Sequence, residues 1–205
     1  MPTTRRQINQ TLALMPLLVS AALICPASHA AGERVKVAGQ WFEATARVAN
    51  TDLLLNGTGL RAVSWFKAFA AGLYLPARAD TAASALAMAG PKRLQLRMLR
   101  ELPADEFVKA LNKGVLRNLP AVEAAGFQGR LAQLDQTIAA LVKVQEGDAV
   151  DLDHEPGRGL VMRLNGKLRG DVIAGEQMFA AVLRAFVGDL PYDEKLKAGL
   201  LGRRS

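Results

Sequence analysis

Apolar and polar positions change period several times along this chain, and each change marks an element. From Arg93 to Leu99 the alternation is strict: Leu94, Leu96 and Met98 fall on one side, Arg93, Gln95 and Arg97 on the other. Period two predicts a half-buried strand. The period then lengthens. Phe107, Leu111, Val115 and Leu119 recur at helical spacing after Pro103 and Asp105. A second stripe, Leu131, Leu134, Ile138 and Leu141, follows Pro120, a residue suited to a first helical turn, and stops at Glu146-Gly147-Asp148. A third, Phe179, Val182, Leu183 and Phe186, predicts a helix from Glu176 to Val187, closed by Pro191.

Shorter apolar runs predict strands. Val35 to Val37 and Thr45 to Val48 flank a turn at Gly39-Gln40-Trp41-Phe42. Leu53 to Leu55 and Val63 to Tyr74 are next, and Asn56-Gly57 with Gly59 supply the backbone freedom of a tight turn between them. Ala82 to Met88 is a short helix stopped by Gly90-Pro91. Val150 to His154, Leu160 to Leu164 and Lys167-Leu168 form a meander, with Asn165-Gly166 as its strongest hairpin signal. Strands, a helix pair, strands, then a helix predict an α+β fold: an antiparallel sheet with helices packed on one face. No repeat or linker divides it.

The first thirty residues stand apart from that fold. Arg5 and Arg6, the mostly apolar run from Thr11 to Ile24, and Ser28-His29-Ala30 read as a signal peptide cut after Ala30. The domain is then 31–205, about 175 residues, enough for one full core. Such a leader points to bacterial export, to the periplasm or beyond. The cut removes Cys25, the single cysteine, and with it disulfide and thiol chemistry; bulky Ile24 before it argues against lipid attachment. Losing Arg5 and Arg6 lowers the net charge from +7 to +5. That excess is spread along the chain, apart from a short basic end at Arg203-Arg204, and reads as a basic surface without a nucleic-acid partner. After the leader, no apolar run is long enough to span a membrane.

Candidate chemistry starts at Arg61. It follows an apolar run and a glycine-rich step, at the mouth of what should be a buried sheet. A charge there must be solvated or paired, because an isolated buried charge is too costly. Two readings stay open: an anionic guest, or an acid at the sheet edge. His154 sits in Asp151-Leu152-Asp153-His154-Glu155. Those side chains alternate across a strand and do not converge on a metal. Tyr74 and Trp65 read as packing residues. No phosphate loop, nucleophile triad, paired-carboxylate site or cofactor motif is evident; Gly57-Thr58-Gly59 is too short for a dinucleotide fingerprint and has no helix after it.

Asn56-Gly57-Thr58-Gly59-Leu60-Arg61, followed by Phe66-Lys67-Ala68-Phe69-Ala70-Ala71-Gly72-Leu73-Tyr74-Leu75-Pro76, resembles the signature of the chalcone isomerase-like family. So do Gly157-Arg158-Gly159, Leu164-Asn165-Gly166-Lys167, Gly188-Asp189 and Leu200-Leu201-Gly202. The resemblance runs from about Gly32 to Gly202, closest to the bacterial secreted branch. It implies a large antiparallel sheet with a ligand cleft between sheet and helices. Plant members cyclise chalcones to flavanones, plastid members bind fatty acids, and the secreted members have no defined role.

Carried over by residue, the family's sheet arginine is Arg61. The isomerases' water-holding threonine falls on Phe69, where secreted relatives usually have tyrosine. Their helix tyrosine falls on Phe107. Their lysine and asparagine fall on Ala110 and Gly114, although a gap would bring in Lys109 and Asn112. The resemblance to the fatty-acid binders adds Arg97, or Arg93, as a second head-group cation; a solvated outer face is the other reading. The first hypothesis is a non-catalytic binder of a small amphipathic anion, fatty-acid-like or polyphenol-like, lined by Arg61, Phe69, Arg97, Phe107 and Tyr74. The second is an isomerase of the chalcone type with a divergent catalytic set, Tyr74 or Lys67 replacing the missing hydroxyls. The third is a structural or partner-binding periplasmic protein. No metal or cofactor is expected, and oligomeric state is not readable.

Overall fold

A computed structural model of the chain describes residue 1, residues 33–63 and residues 66–203. The leader read over residues 1–30, Trp65 and Arg204 lie outside the described residues, apart from Met1. In chain order the elements are β1 (Val35–Val37), β2 (Gln40–Phe42), β3 (Thr45–Val48), β4 (Thr51–Val63), β5 (Phe66–Leu75), α1 (Ala82–Ala87), β6 (Lys92–Met98), β7 (Leu102–Pro103), α2 (Ala104–Leu116) and α3 (Ala121–Ala139). Then come β8 (Lys143–Val144), β9 (Ala149–Glu155), β10 (Gly159–Leu164), β11 (Lys167–Ala174), α4 (Glu176–Val187) and α5 (Glu194–Leu200). Among the described residues, seven strands form one antiparallel sheet in the order β11-β10-β9-β6-β5-β4-β3. β1 pairs with β2 and β7 with β8. No described helix is long and apolar enough to cross a membrane.

Period two sorts the sheet into two faces. Ala71, Leu73 and Leu75 of β5, Leu94, Leu96 and Met98 of β6, and Val150 and Leu152 of β9 face the helices. The apolar stripes of α2, α3 and α4 cover them. Phe42, Val48, Leu53, Leu55, Ala70 and Tyr74 form a smaller core on the other face. The sheet curls: β3 comes within 8 Å of β6 and β9, although those strands lie three and four places away. A flat sheet would put them roughly 14 and 19 Å off at the usual strand spacing.

Curling corrects one expectation. Arg93, Gln95 and Arg97 do alternate with the core residues, but they do not lie on a solvated face. Arg93 grips Asp153 with its Nε and Nη2 at 2.6 and 2.7 Å, and Gln95 donates to Asp151 at 2.7 Å. Asp151 and Asp153 are themselves buried.

Two turns move as well. The first turn is at Ala38 and Gly39, both with positive φ, so Gln40–Phe42 is a strand. Asn56 to Gly59 is no turn, for β4 continues through it with a shift of register at Asn56. The glycines serve close approach instead. A Cβ on Gly57 would lie 2.2 Å from the Gly199 carbonyl oxygen, and one on Gly59 2.8 Å from that of Leu196. Helix α5, which no apolar stripe in the sequence marks, docks here on β4. Asn56 fastens it: Nδ2 donates to the Ala79 and Leu200 carbonyls at 2.9 and 2.8 Å, and Oδ1 accepts the Ala79 amide at 2.7 Å.

Candidate functional site

Arg61 pairs across the strands with Phe69, so both side chains leave the same, helix-facing side of the sheet. Phe107 meets them from the first turns of α2, where Ala104, Phe107 and Leu111 form the buried stripe. Together with Phe186 of α4 and Tyr192 they line a cleft of about 250 Å³ between sheet and helices. Its walls are aromatic. The Phe69 and Phe186 rings are tilted at 6.3 Å, and Phe186 and Tyr192 meet edge-on at 5.0 Å. A second depression of about 260 Å³ continues it past Phe66, Ala68 and Leu102 toward Met98.

Arg61 is held loosely. Among the described residues its hydrogen bonds leave only from Nη1, to the Ala62 carbonyl at 3.1 Å and to Asp193 at 3.5 Å. Asp193 is the N-cap of α5, and its other oxygen accepts the Lys195 and Leu196 amides at 2.8 and 3.0 Å. The docking of α5 on Gly57 and Gly59 thus sets the acid beside the arginine. At 3.5 Å and about one quarter exposed on each side, this pair is weak and leaves guanidinium donors available.

Sequence reasoning did not single out Tyr192. Burial raises the pKa of its phenol, and Arg117 and Arg61 only partly oppose that. The hydroxyl donates to the Ala110 carbonyl at 2.9 Å, with Leu111 at 3.3 Å. The signal was there in Gly114, whose Cβ would stand 2.3 Å from the Tyr192 hydroxyl oxygen. Gly114 is small because Tyr192 fills the space. That hydroxyl holds α2 and is no spare donor for an oxyanion.

The remaining candidates lie elsewhere. Arg97 and Tyr74 are on the helix-free face, Arg97 donating to Gln95 at 3.3 Å. Both are therefore corrected: strand alternation turns them away from the cleft. Burial pushes the Tyr74 phenol up to about 12. Arg93, the alternative to Arg97, is held by Asp153. Lys67 is exposed and pairs with Ala62 rather than with a cleft residue. Lys109 forms an exposed pair with Asp105, and Asn112 reaches across to Asp135 of α3 at 2.7 Å. Neither lines the cleft. Asp151 and Asp153 face away from Leu152 and His154, as strand alternation requires.

A family model described as chalcone isomerase-like matches residues 34–202. Among solved structures, the chain is similar to a fatty-acid binding protein from Arabidopsis thaliana. The two are 17% identical, with a TM-score of 0.64, covering 82% of this chain and 96% of that one. None of the curated proteins matches the chain.

Proposed function

The chain belongs to the chalcone isomerase-like family, and from that premise we propose that it is a non-catalytic binder of a small amphipathic anion. The guest is fatty-acid-like, its carboxylate on Arg61 and its apolar body against Phe69, Phe107 and Phe186. The observation that carries this is the lining itself: a loosely paired cation at the edge of an aromatic cleft, with phenyl groups at Phe69 and Phe107. A carboxylate can take the guanidinium as a charge-assisted fork. The cleft alone is smaller than most small-molecule pockets, which run from roughly 300 to 1,000 Å³. The adjoining depression gives an acyl chain room to continue.

Isomerase chemistry needs donors aimed at the developing oxyanion. The replacement donors Tyr74 and Lys67 do not line the cleft, and Tyr192 is committed to α2. This favours binding over turnover. The reading includes export behind a leader cut after Ala30. Native mass spectrometry of wild type and Arg61→Ala, delipidated and then offered dodecanoate, tests the binding. Uptake by wild type and its loss in the variant is the expected result. A wild type that stays empty overturns the proposal, and chalcone turnover then becomes the next assay. N-terminal sequencing of the exported protein checks the cut.

A further inference from the structure

Strand β6 carries a lysine where its core-facing register calls for hydrocarbon. Lys92 lies two residues before Leu94 and four before Leu96, both fully buried on the helix side, and it is itself only 6% exposed. Its cross-strand partner is His154, also 6% exposed. Directly opposed residues share a face, so the two point together under the helices. His154 Nε2 lies 3.1 Å from one Glu176 carboxylate oxygen, and the other accepts the Gly157 amide at 2.5 Å. His154 Nδ1 is buried with no hydrogen-bond partner. A proton there would find no acceptor, which fits a neutral imidazole that donates from Nε2. The Lys92 amine makes no hydrogen bond or ion pair among the described residues.

These three side chains line a second cavity, of about 290 Å³, with Phe179, Leu183 and Leu86 as apolar walls. It lies at the other end of β6 from the first cleft. Phe69 pairs with Met98, six residues beyond Lys92, or roughly 20 Å along a strand.

We propose that Lys92, His154 and Glu176 form a second ligand site, which takes a small carboxylate with a compact apolar body. A nearly buried ammonium without a partner is costly, and an anion beside it removes much of that cost. Its three donors suit a carboxylate oxygen pair. Glu176 does not already fill this role: its oxygens are taken by His154 and Gly157, and neither comes within 4 Å of the amine. Burial lowers the Lys92 pKa, and a bound anion would raise it again. The site is independent of Arg61, so either can fail without the other.

The test uses benzoate as the probe. Its affinity is measured by calorimetry for wild type, Lys92→Met and Arg61→Ala, and the His154 imidazole signals are followed by NMR. Benzoate should shift the His154 signals in wild type and in Arg61→Ala alike. Lys92→Met, which keeps the volume and removes the charge, should weaken binding at least tenfold. Unmoved His154 signals in wild type, equal affinity in Lys92→Met, or loss of the shift in Arg61→Ala would each overturn the assignment. If Lys92→Met does not fold, the His154 shift in wild type and Arg61→Ala still decides.

Discussion

Arg93 and Arg61 are both strand arginines under similar cover, their side chains 14% and 24% exposed. Arg93 is forked onto Asp153 by two short bonds, with Asp151 at 3.9 Å behind it. Burial lowers its pKa, but the bonds and charges of Asp153 and Asp151 more than reverse that. Arg61 reaches one acid from one nitrogen at 3.5 Å, and that acid is already capping a helix. Depth does not separate the two; the geometry of the acid does. On the helix-free face the charge is spent on holding a curled sheet. On the helix face it is kept in hand for a guest.

The hardest blow to that contrast is Asp153→Ala. It takes both short bonds from Arg93 and leaves only Asp151, at 3.9 Å, to offset a mostly buried charge, which costs up to about 3–5 kcal/mol. In a domain of this size the melting temperature should fall by roughly 10 °C, while dodecanoate uptake by the folded fraction is unchanged. A wild-type melt would mean that Arg93 is not spent on the fold. Next comes Gly57→Ala, which sets a methyl against the Gly199 carbonyl and should cost about 1–3 kcal/mol in a denaturant titration. It should also weaken dodecanoate binding, since α5 carries Asp193.

Arg61→Ala inverts the pattern. Stability should change by no more than about 1 kcal/mol. Dodecanoate affinity should drop roughly 10–100-fold, the worth of hydrogen bonds to a charged group. The smallest effect concerns the far end of the sheet. Burial, then Lys92, hold His154 below its ordinary pKa of 6.5, against the pull of Glu176. The unfolded chain therefore binds that proton more readily. The stabilisation is complete above about pH 6.5 and is lost as pH falls toward the folded value. A melt series over that range should show a decline that His154→Gln lacks.

Much of the scaffold was legible because its signals are local. The Asn165-Gly166 hairpin forms with both residues at positive φ, and the α4 stripe and most of the α2 and α3 stripes lie where helical spacing puts them; Leu119 and Leu141 fall past the helix ends, and α3 stops at Ala139 rather than at Glu146 because Lys143–Val144 pairs as a strand with Leu102–Pro103. Arg61, Phe69 and Phe107 do share a cleft. What escaped the sequence is set by distant partners. Asn56, Gly57 and Gly59 are turn-type residues, yet their reason is a helix near residue 200. Alternation placed Arg93 and Arg97 on the right face, but nothing local told of β3 curling across it. Lys92 was within reach: carrying the alternation back from Leu94 by one step puts it among the core residues.

The Asn56 staple also orders events in time. Its Leu200 partner is 144 residues further along the chain. At ordinary synthesis rates of roughly 5–20 residues per second, that is about 7–30 s of elongation. During that interval β4 has no α5 to cover Gly57 and Gly59, and Arg61 lacks the Asp193 that steadies it. The cleft can therefore be completed only once the chain has grown past residue 200, so everything made before then stays short of the native arrangement.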